Sequence, residues 1–349
     1  MGEFYAINSK VAYLMNGLFH EKDYDDIMGS SGRMELLEHL KNNPIYKVQI
    51  GEYIQNGTIN RVTTETVIRK TEVNTLLRLR HHLSGSDKSL IDAMLARYEF
   101  DDIKIILRSI VEKEDIDKEH DLLLSGKEQH LSYDKLLACE SISQAIEYIS
   151  ATPFRRAFLS TTDEDVQRLQ FHTEMRLDSA YFIGLNQAVS KFSGANSKIL
   201  TDYFSNKVDL FNVKWIYRAK KYYDLSPAEI YNYSLSYGKK VRGALLKDLV
   251  YSSSRQDFMQ KVKNYSLEDV FEYIHGEDVK FKFSFAYTYE KALRHLIDYE
   301  NNIGMFIKFY TRLIIQNKNI IRISEAQKYG LTKEQCEKYL VKTAGKKRG

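Results

Sequence analysis

The sequence has little proline, glycine or cysteine: 3 prolines, 17 glycines and 2 cysteines among 349 residues. Sandwiches, barrels and disordered chains contain more turn-forming residues, so this shortage excludes them. Cys139 and Cys336 are far apart and lack Cys-x-x-Cys spacing, so we expect neither a zinc site nor a disulfide framework. The most apolar segment, 303–315, is shorter than the ~20 residues that span a bilayer, and it contains Lys308 and Arg312. The composition predicts a helical protein that is not embedded in a membrane.

An excess of one charge is also missing, because 51 basic and 47 acidic residues leave a net charge of +4. Nucleic-acid-binding proteins carry a larger basic excess or a dense basic cluster, so no nucleic-acid partner is expected. The chain has no G-x-x-x-x-G-K-[ST] phosphate loop and no His-Glu-x-x-His motif. We therefore expect no catalytic residue, cofactor, metal or small-molecule substrate. The first residues lack the basic and apolar segments of a secretion signal, which indicates a cytosolic setting.

Apolar residues follow helical spacing almost everywhere, which predicts an all-α fold. A clear i, i+3, i+4, i+7 face comprises Ile103, Ile106, Leu107 and Ile110. A long helix is predicted over about 163–190, with Thr162 as its N-cap. Alternation typical of a strand is best at 280–285, and helical spacing resumes over 286–297.

An internal repeat is the most informative feature of the chain. Tyr-Asp-Asp-Ile-Met at 24–28 matches Tyr-Asp-Lys-Leu-Leu at 133–137 and Leu-Lys-Asp-Leu-Val at 246–250, at steps of 109 and 113 residues. A helix-start pattern follows each copy, with a cap-type residue three positions before an acid or amide. These pairs are Gly32 with Glu35, Ser141 with Gln144, and Ser254 with Asp257.

A second pattern, Lys-x-x-x-Arg, recurs at steps of 110 and 104 residues. The three pairs are Lys104 with Arg108, Lys214 with Arg218, and Lys318 with Arg322. A capped helix start follows two of them, Ser226-Pro-Ala-Glu229 and Thr332-Lys-Glu-Gln335, whereas the first copy keeps only Ile116-Asp117 of this turn.

These matches predict three similar helical-bundle units of about 110 residues. Their boundaries are 1–115, 116–235 and 236–349, and the last unit includes a basic C-terminal tail. Common helical solenoids have repeats of only ~30–47 residues. We therefore expect the units to close around a pseudo-threefold axis as a funnel, and not to stack as an open solenoid.

At these residues the sequence resembles the C subunit of bacterial and archaeal V-type (A-type) rotary ATPases, the family that includes the eukaryotic d subunit. The resemblance rests mainly on Asn-Val-Lys-Trp-Ile-Tyr-Arg-Ala-Lys at 212–220 with Leu-Ser-Pro-Ala-Glu-Ile at 225–230. The repeated Tyr-Asp-x-Leu-Leu openings and the long helices around Glu72, Glu174 and Glu290 extend it from about residue 5 to residue 341.

This resemblance implies a non-catalytic central-rotor subunit on the cytoplasmic face of the plasma membrane, peripheral and part of a membrane complex. It implies two sets of partners, the central-shaft subunits of the ATPase head (D and F type) and the proteolipid ring of the membrane sector. The protein would act as a socket between them, so that torque links ATP turnover to proton or sodium transport.

The three Lys-x-x-x-Arg pairs are the candidate partner-binding residues. At i, i+4 two cations share one helix face, which is unfavourable by a few tenths of a kcal/mol unless acidic groups neutralise them. Those groups lie either within the chain, which makes a salt-bridged surface, or on an acidic partner. Two other hypotheses stay open: a cytosolic helical-repeat scaffold for protein interactions, and an all-α enzyme with its site between bundles.

Overall fold

The fold is described from a computed structural model of the chain. The structure describes all residues except 1–3, 57–58, 125–129, 153, 155–165, 224, 266, 268–271, 274–278, 281–302 and 342–349. The predicted cap Thr162, most of the strand pattern at 280–285, the helical spacing at 286–297, Glu290 and the basic tail lie outside the described residues.

Helices dominate the described residues, which confirms the predicted all-α class. Up to residue 150 they are α1 (Phe4–Met15), α2 (Glu21–Met28), α3 (Arg33–Lys41), α4 (Lys47–Asn56), α5 (Arg61–Arg80), α6 (Gly85–Glu112), α7 (Lys118–Asp121), α8 (Tyr133–Leu137) and α9 (Ile142–Ser150). Beyond it they are α10 (Val166–Val189), α11 (Gly194–Tyr222), α12 (Pro227–Asn232), α13 (Gly243–Val250), α14 (Arg255–Asn264), α15 (Ile303–Lys328) and α16 (Lys333–Glu337). Two antiparallel two-residue strands, β1 (Glu272–Tyr273) and β2 (Val279–Lys280), pair with each other.

Four of the predicted helix starts show the capping chemistry. The exception is Gly32, which has no side chain to cap α3, and Glu35 accepts the Ser31 N–H instead at 2.7 Å. Ser141 and Ser254 each accept a hydrogen bond from the backbone N–H three residues on, at 3.3 and 3.1 Å. Ser226 with Glu229 and Thr332 with Gln335 form complete capping boxes, and Pro227 occupies the first helical position. These side chains satisfy N–H groups that the first helical turn leaves unpaired.

The chain divides into two compact units, and each is described by itself. The first contains the described residues within Met1–Ala188 and Tyr299–Val341, and the second contains those within Val189–Asp298. In the first unit, α15 packs against α1 and α5, and α5 packs against α6. In the second, α11 packs against α12, α13 and α14. The predicted boundaries at 115 and 235 and the funnel arrangement stay predictions.

A buried hydrogen-bond network joins the long helices of the first unit. Glu72 of α5 is 6% exposed, and its carboxylate accepts hydrogen bonds from the Tyr98 hydroxyl (2.6 Å) and from Asn317 Nδ2 (2.9 Å). The Tyr98 hydroxyl also lies 2.7 Å from that of Tyr310, and Asn317 Oδ1 accepts from Tyr46 at 2.6 Å. Burial, and then the Glu72 charge, hold the pKa of Tyr98 well above its ordinary value, so the hydroxyl keeps its proton. The network fixes α15 against α5 and α6.

Replacing Asn317 with alanine should lower the free energy of unfolding by about 2–4 kcal/mol, because the buried Glu72 carboxylate and Tyr46 hydroxyl both lose a partner. Asn264→Ala is the control. Asn264 is exposed at the end of α14, and its loss should change stability by less than ~0.5 kcal/mol. Urea denaturation followed by circular dichroism measures both. Equal losses in the two variants would contradict the importance of the buried network.

Candidate partner-binding site

The first predicted pair lies on α6 and is neutralised within the chain. Lys104 forms an ion pair with Asp178 of α10. Arg108 makes a bidentate contact with Glu174 of α10, with Nε and Nη2 at 2.8 and 2.7 Å from the two carboxylate oxygens. The hydrogen bonds to Glu174 raise the pKa of Arg108 above its ordinary value. This pair therefore fastens α10 to α6, the salt-bridged alternative that the sequence left open.

The second pair lies on α11, where Lys214 is half-buried and Arg218 is exposed. Arg218 Nη2 lies 3.4 Å from the Tyr223 hydroxyl, at the end of the same helix. The contact partner is a hydroxyl, so it does not offset the charge of Arg218 in the way that the Glu174 carboxylate offsets the charge of Arg108. The Arg218 guanidinium is therefore accessible to an acidic partner.

The third pair lies on α15, and it differs from the other two. Arg322 is half-buried, and its Nη1 donates to the backbone carbonyl of Tyr339 at 3.1 Å. Desolvation lowers the pKa of Arg322 to about 10, which still leaves the guanidinium charged at neutral pH. Lys318 is also half-buried. The six predicted residues thus occupy equivalent helices but three different environments.

A buried polar residue stands two positions before each lysine, and sequence reasoning missed this set. The residues are Asp102, Asn212 and Gln316, which are 0%, 0% and 2% exposed. In each, a side-chain oxygen accepts a backbone N–H from the segment leading into a pair of short helices. The donors are Leu123 and Leu124 for Asp102, Leu235 for Asn212, and Phe19 for Gln316, at 2.8, 2.8, 2.8 and 2.6 Å.

Each pair of short helices packs on the long helix that supplies this acceptor. α8 and α9 pack on α6, α13 and α14 pack on α11, and α2 and α3 pack on α15. The packing of α2 and α3 on α15 brings the two ends of the chain together, because α2 and α3 lie near the N-terminus and α15 lies near the C-terminus. Arg33 with Glu325 (3.1 Å) and Lys333 with Asp25 (2.8 Å) add ion pairs there. The short helices near the N-terminus therefore complete the third copy of the pattern, whose long helix lies near the C-terminus.

A second acceptor, five positions before the lysine, is present in two of the three copies. Glu99 accepts the N–H groups of His130 and Leu131, and Asp209 accepts those of Lys240 and Val241. The third copy has Leu313 at this position. A polar residue recurring inside an apolar helix face was the signal in the sequence, visible once the Lys-x-x-x-Arg patterns are aligned.

Gly238 is required by the close approach of the chain to Asp209. A Cβ added there would overlap the Asp209 carboxylate and lie 2.8 Å from the backbone carbonyl of Val241. Side-chain adjustment cannot relieve the second contact, because it involves backbone.

The geometry defines a helical-repeat protein in which long helices carry docked pairs of short helices. No helix among the described residues has the length and apolar character needed to cross a membrane. A family model described as the ATP synthase (C/AC39) subunit matches residues 7–339, and the chain belongs to this family. The predicted resemblance to the C subunit of V/A-type ATPases is confirmed.

Curated relatives carry the same description. The chain is similar to the A-type ATP synthase C subunit of Methanosphaera stadtmanae, with 23% identity over 258 residues, and to that of Methanothermobacter thermautotrophicus, with 26% over 252 residues. These matches cover 74% and 70% of this chain, but only 64% and 61% of the relatives' own lengths.

Gly238→Ala should destabilise the second unit by about 1–3 kcal/mol, because the added methyl group forces the Asp209 contact apart. Gly184→Ala is the matched control. Gly184 is exposed within α10 and nothing lies within 4 Å of an added Cβ, so alanine should stabilise the helix by up to ~1 kcal/mol. Thermal unfolding monitored by circular dichroism separates them, and a shared direction of change would contradict the close-approach argument.

The Arg108–Glu174 contact can be tested by charge exchange. Arg108→Glu and Glu174→Arg should each reduce stability by less than ~1 kcal/mol, because the Arg108 side chain is 50% exposed and solvent screens the pair. The double variant should recover part of the loss. Arg218→Glu, at an exposed position of α11, is the control. Strictly additive single effects in urea denaturation would show that the pair contributes nothing.

Proposed function

We propose that this chain is a non-catalytic central-rotor subunit of a V-type ATPase or ATP synthase. It acts as a socket that couples the central shaft of the ATPase head to the proteolipid ring of the membrane sector. Torque passed through it links ATP turnover to proton or sodium transport. Its place is the cytoplasmic face of the membrane, where it binds peripherally through these partners.

One observation carries the proposal: the N-terminal pair α2–α3 docks on the C-terminal helix α15 through the same aligned position that serves the other two copies. In an open solenoid each repeat contacts only its sequence neighbours, and both ends stay available for capping. A repeat whose third copy is completed by helices from the other end of the chain instead favours three units around an axis, a funnel that can hold a shaft. Membership of the ATP synthase (C/AC39) family supports the same role.

Arg218 of α11 is the principal proposed docking charge, because Arg108 of α6, although exposed, is already paired with Glu174. Arg108 and Arg218 are exposed, whereas Lys104, Lys214, Lys318 and Arg322 are half-buried. Charges at an interface mainly set orientation and encounter rate, while buried apolar contacts hold the partner. We therefore expect the arginines to contribute to seating the partner more than to its final affinity.

The direct test is purification of the tagged chain from mild-detergent membrane extracts. Recovery of head, shaft and proteolipid-ring subunits supports the rotor role. Recovery from the soluble fraction, with unrelated proteins, contradicts it and favours the cytosolic scaffold.

Charge reversal of Arg108, Arg218 and Arg322 together should reduce recovery of the shaft and ring subunits several-fold, while circular dichroism stays unchanged. The matched control reverses Lys22, Lys135 and Lys263. These lysines are exposed and lie one in each predicted unit, so the net charge changes equally. Equal loss in both variants would attribute the effect to net charge, and unchanged recovery in the arginine variant would remove these residues from the interface.

A further inference from the structure

Two carboxylates on one face of α6 hold the residues that flank and begin α8. Asp102 is 0% exposed, and its oxygens accept the N–H groups of Leu123 and Leu124 at 2.8 Å each. The Tyr133 hydroxyl donates to the same carboxylate at 3.0 Å. Glu99 lies one turn earlier and is 1% exposed.

Glu99 binds the same region through a histidine. Its Oε1 accepts the backbone N–H groups of His130 and Leu131 at 2.6 and 3.1 Å. His130 Nδ1 lies 2.7 Å from Glu99 Oε2, while the remainder of the imidazole is half-exposed. A protonated His130 therefore gives the buried Glu99 charge a partner.

The contact of Asp102 and the contact of Glu99 with His130 both favour the protonated form of a side chain. Asp102 has no cationic partner among the described residues, so burial without a counter-ion favours its neutral form. Burial raises the pKa of Asp102 to about 6, although three hydrogen bonds oppose the shift. The hydrogen bond to Glu99 raises the pKa of His130 above its ordinary value. If the segments leave α6, both groups return to water and lose these environments.

We propose that the docking of α8 and its flanking residues on α6 is linked to proton uptake at Asp102 and His130, so that this contact is tighter in mildly acidic than in mildly alkaline solution.

Neighbouring charges preserve this direction. Around His130, Asp92 of α6 favours the charged imidazole, and Arg80 of α5 opposes it while itself pairing with Asp92. Around Asp102, the neighbouring Asp101 favours the neutral carboxyl. Asp101 itself is paired with Arg69 of α5 at 2.7 Å.

The sign follows from linkage. A carboxyl with a raised pKa weakens the docked state as pH rises from its ordinary value through its docked value. A histidine with a raised pKa stabilises the docked state at low pH, and that contribution is lost as pH rises through its docked pKa. Both groups therefore loosen the contact on the alkaline side.

The second unit supplies an internal control. Asn212 is aligned with Asp102, and its amide oxygen accepts the Leu235 N–H at 2.8 Å. An amide does not titrate, but Asp209, which accepts the N–H groups of Lys240 and Val241 in the same segment, has a pKa that burial raises. In an Asp209→Asn variant both acceptors are amides, so the protection of the Leu235 N–H should not follow pH.

Residue-resolved hydrogen exchange of the full chain tests the proposal, after correction for the intrinsic pH dependence of exchange. Between about pH 7.5 and about pH 5, protection of the Leu123 and Leu124 amides should rise about tenfold from Asp102 alone, given its shift from 3.8 to about 6. Protection of Leu235 in the Asp209→Asn variant should change much less. Equal protection of Leu123 and Leu124 at the two pH values, or a parallel change at Leu235 in the Asp209→Asn variant, would overturn the proposal.

Two variants assign the effect to its groups. Asp102→Asn copies the natural residue of the second unit and should abolish most of the pH dependence at Leu123 and Leu124. His130→Gln keeps a side-chain donor and should remove only the part of the pH dependence that the histidine contributes. A pH dependence that persists in the double variant would refute the assignment. The comparison of the two pH values at Leu123 and Leu124 of the wild-type chain needs no variant, so the test stands if one variant fails to fold.

Discussion

The structure depends on supplying buried acceptors to the backbone that enters each pair of short helices. A segment that packs against a long helix carries N–H groups away from water, and an unpaired buried donor destabilises a fold by about 1–3 kcal/mol. Asp102, Asn212 and Gln316 provide those acceptors from one aligned helix position. Since the acceptor chemistry changes among carboxylate, amide and longer amide while the contact persists, the geometry is what the three copies share.

This contact also explains why the ends of the chain belong together. The segment that leads into α2 and α3 needs a hydrogen-bond acceptor on a long helix. Gln316 of α15 provides it by accepting the Phe19 N–H. The Glu72–Asn317–Tyr46 network then fixes α15 against α5, so the C-terminal helix is part of the core of the N-terminal unit.

The three Lys-x-x-x-Arg pairs keep the same position on their long helices, but their contacts differ from one copy to the next. Lys104 and Arg108 meet acids of α10, Arg218 remains accessible, and Arg322 reaches a backbone carbonyl. The same spacing in the sequence thus gives an internal ion-pair contact at Lys104 and Arg108 but an exposed cation at Arg218. Charge patterning alone could not separate these outcomes, since the partners come from helices distant along the chain.

Local chemistry made much of the fold predictable. Helical spacing, Ser, Thr and Pro at helix starts, and acids or amides three residues later act within a single turn, so the class, the caps and the repeat follow from sequence. The family also followed from motifs at 212–230. The buried roles of Glu99, Asp102 and Glu72 did not, because whether a carboxylate faces water or a backbone N–H depends on which elements pack against it. The sequence by itself therefore determined the helices, their capping and the repeated frame. Only the tertiary structure decided which short pair docks on which long helix and which charges are neutralised. Those outcomes depend on contacts between residues as far apart along the chain as Asp25 and Lys333.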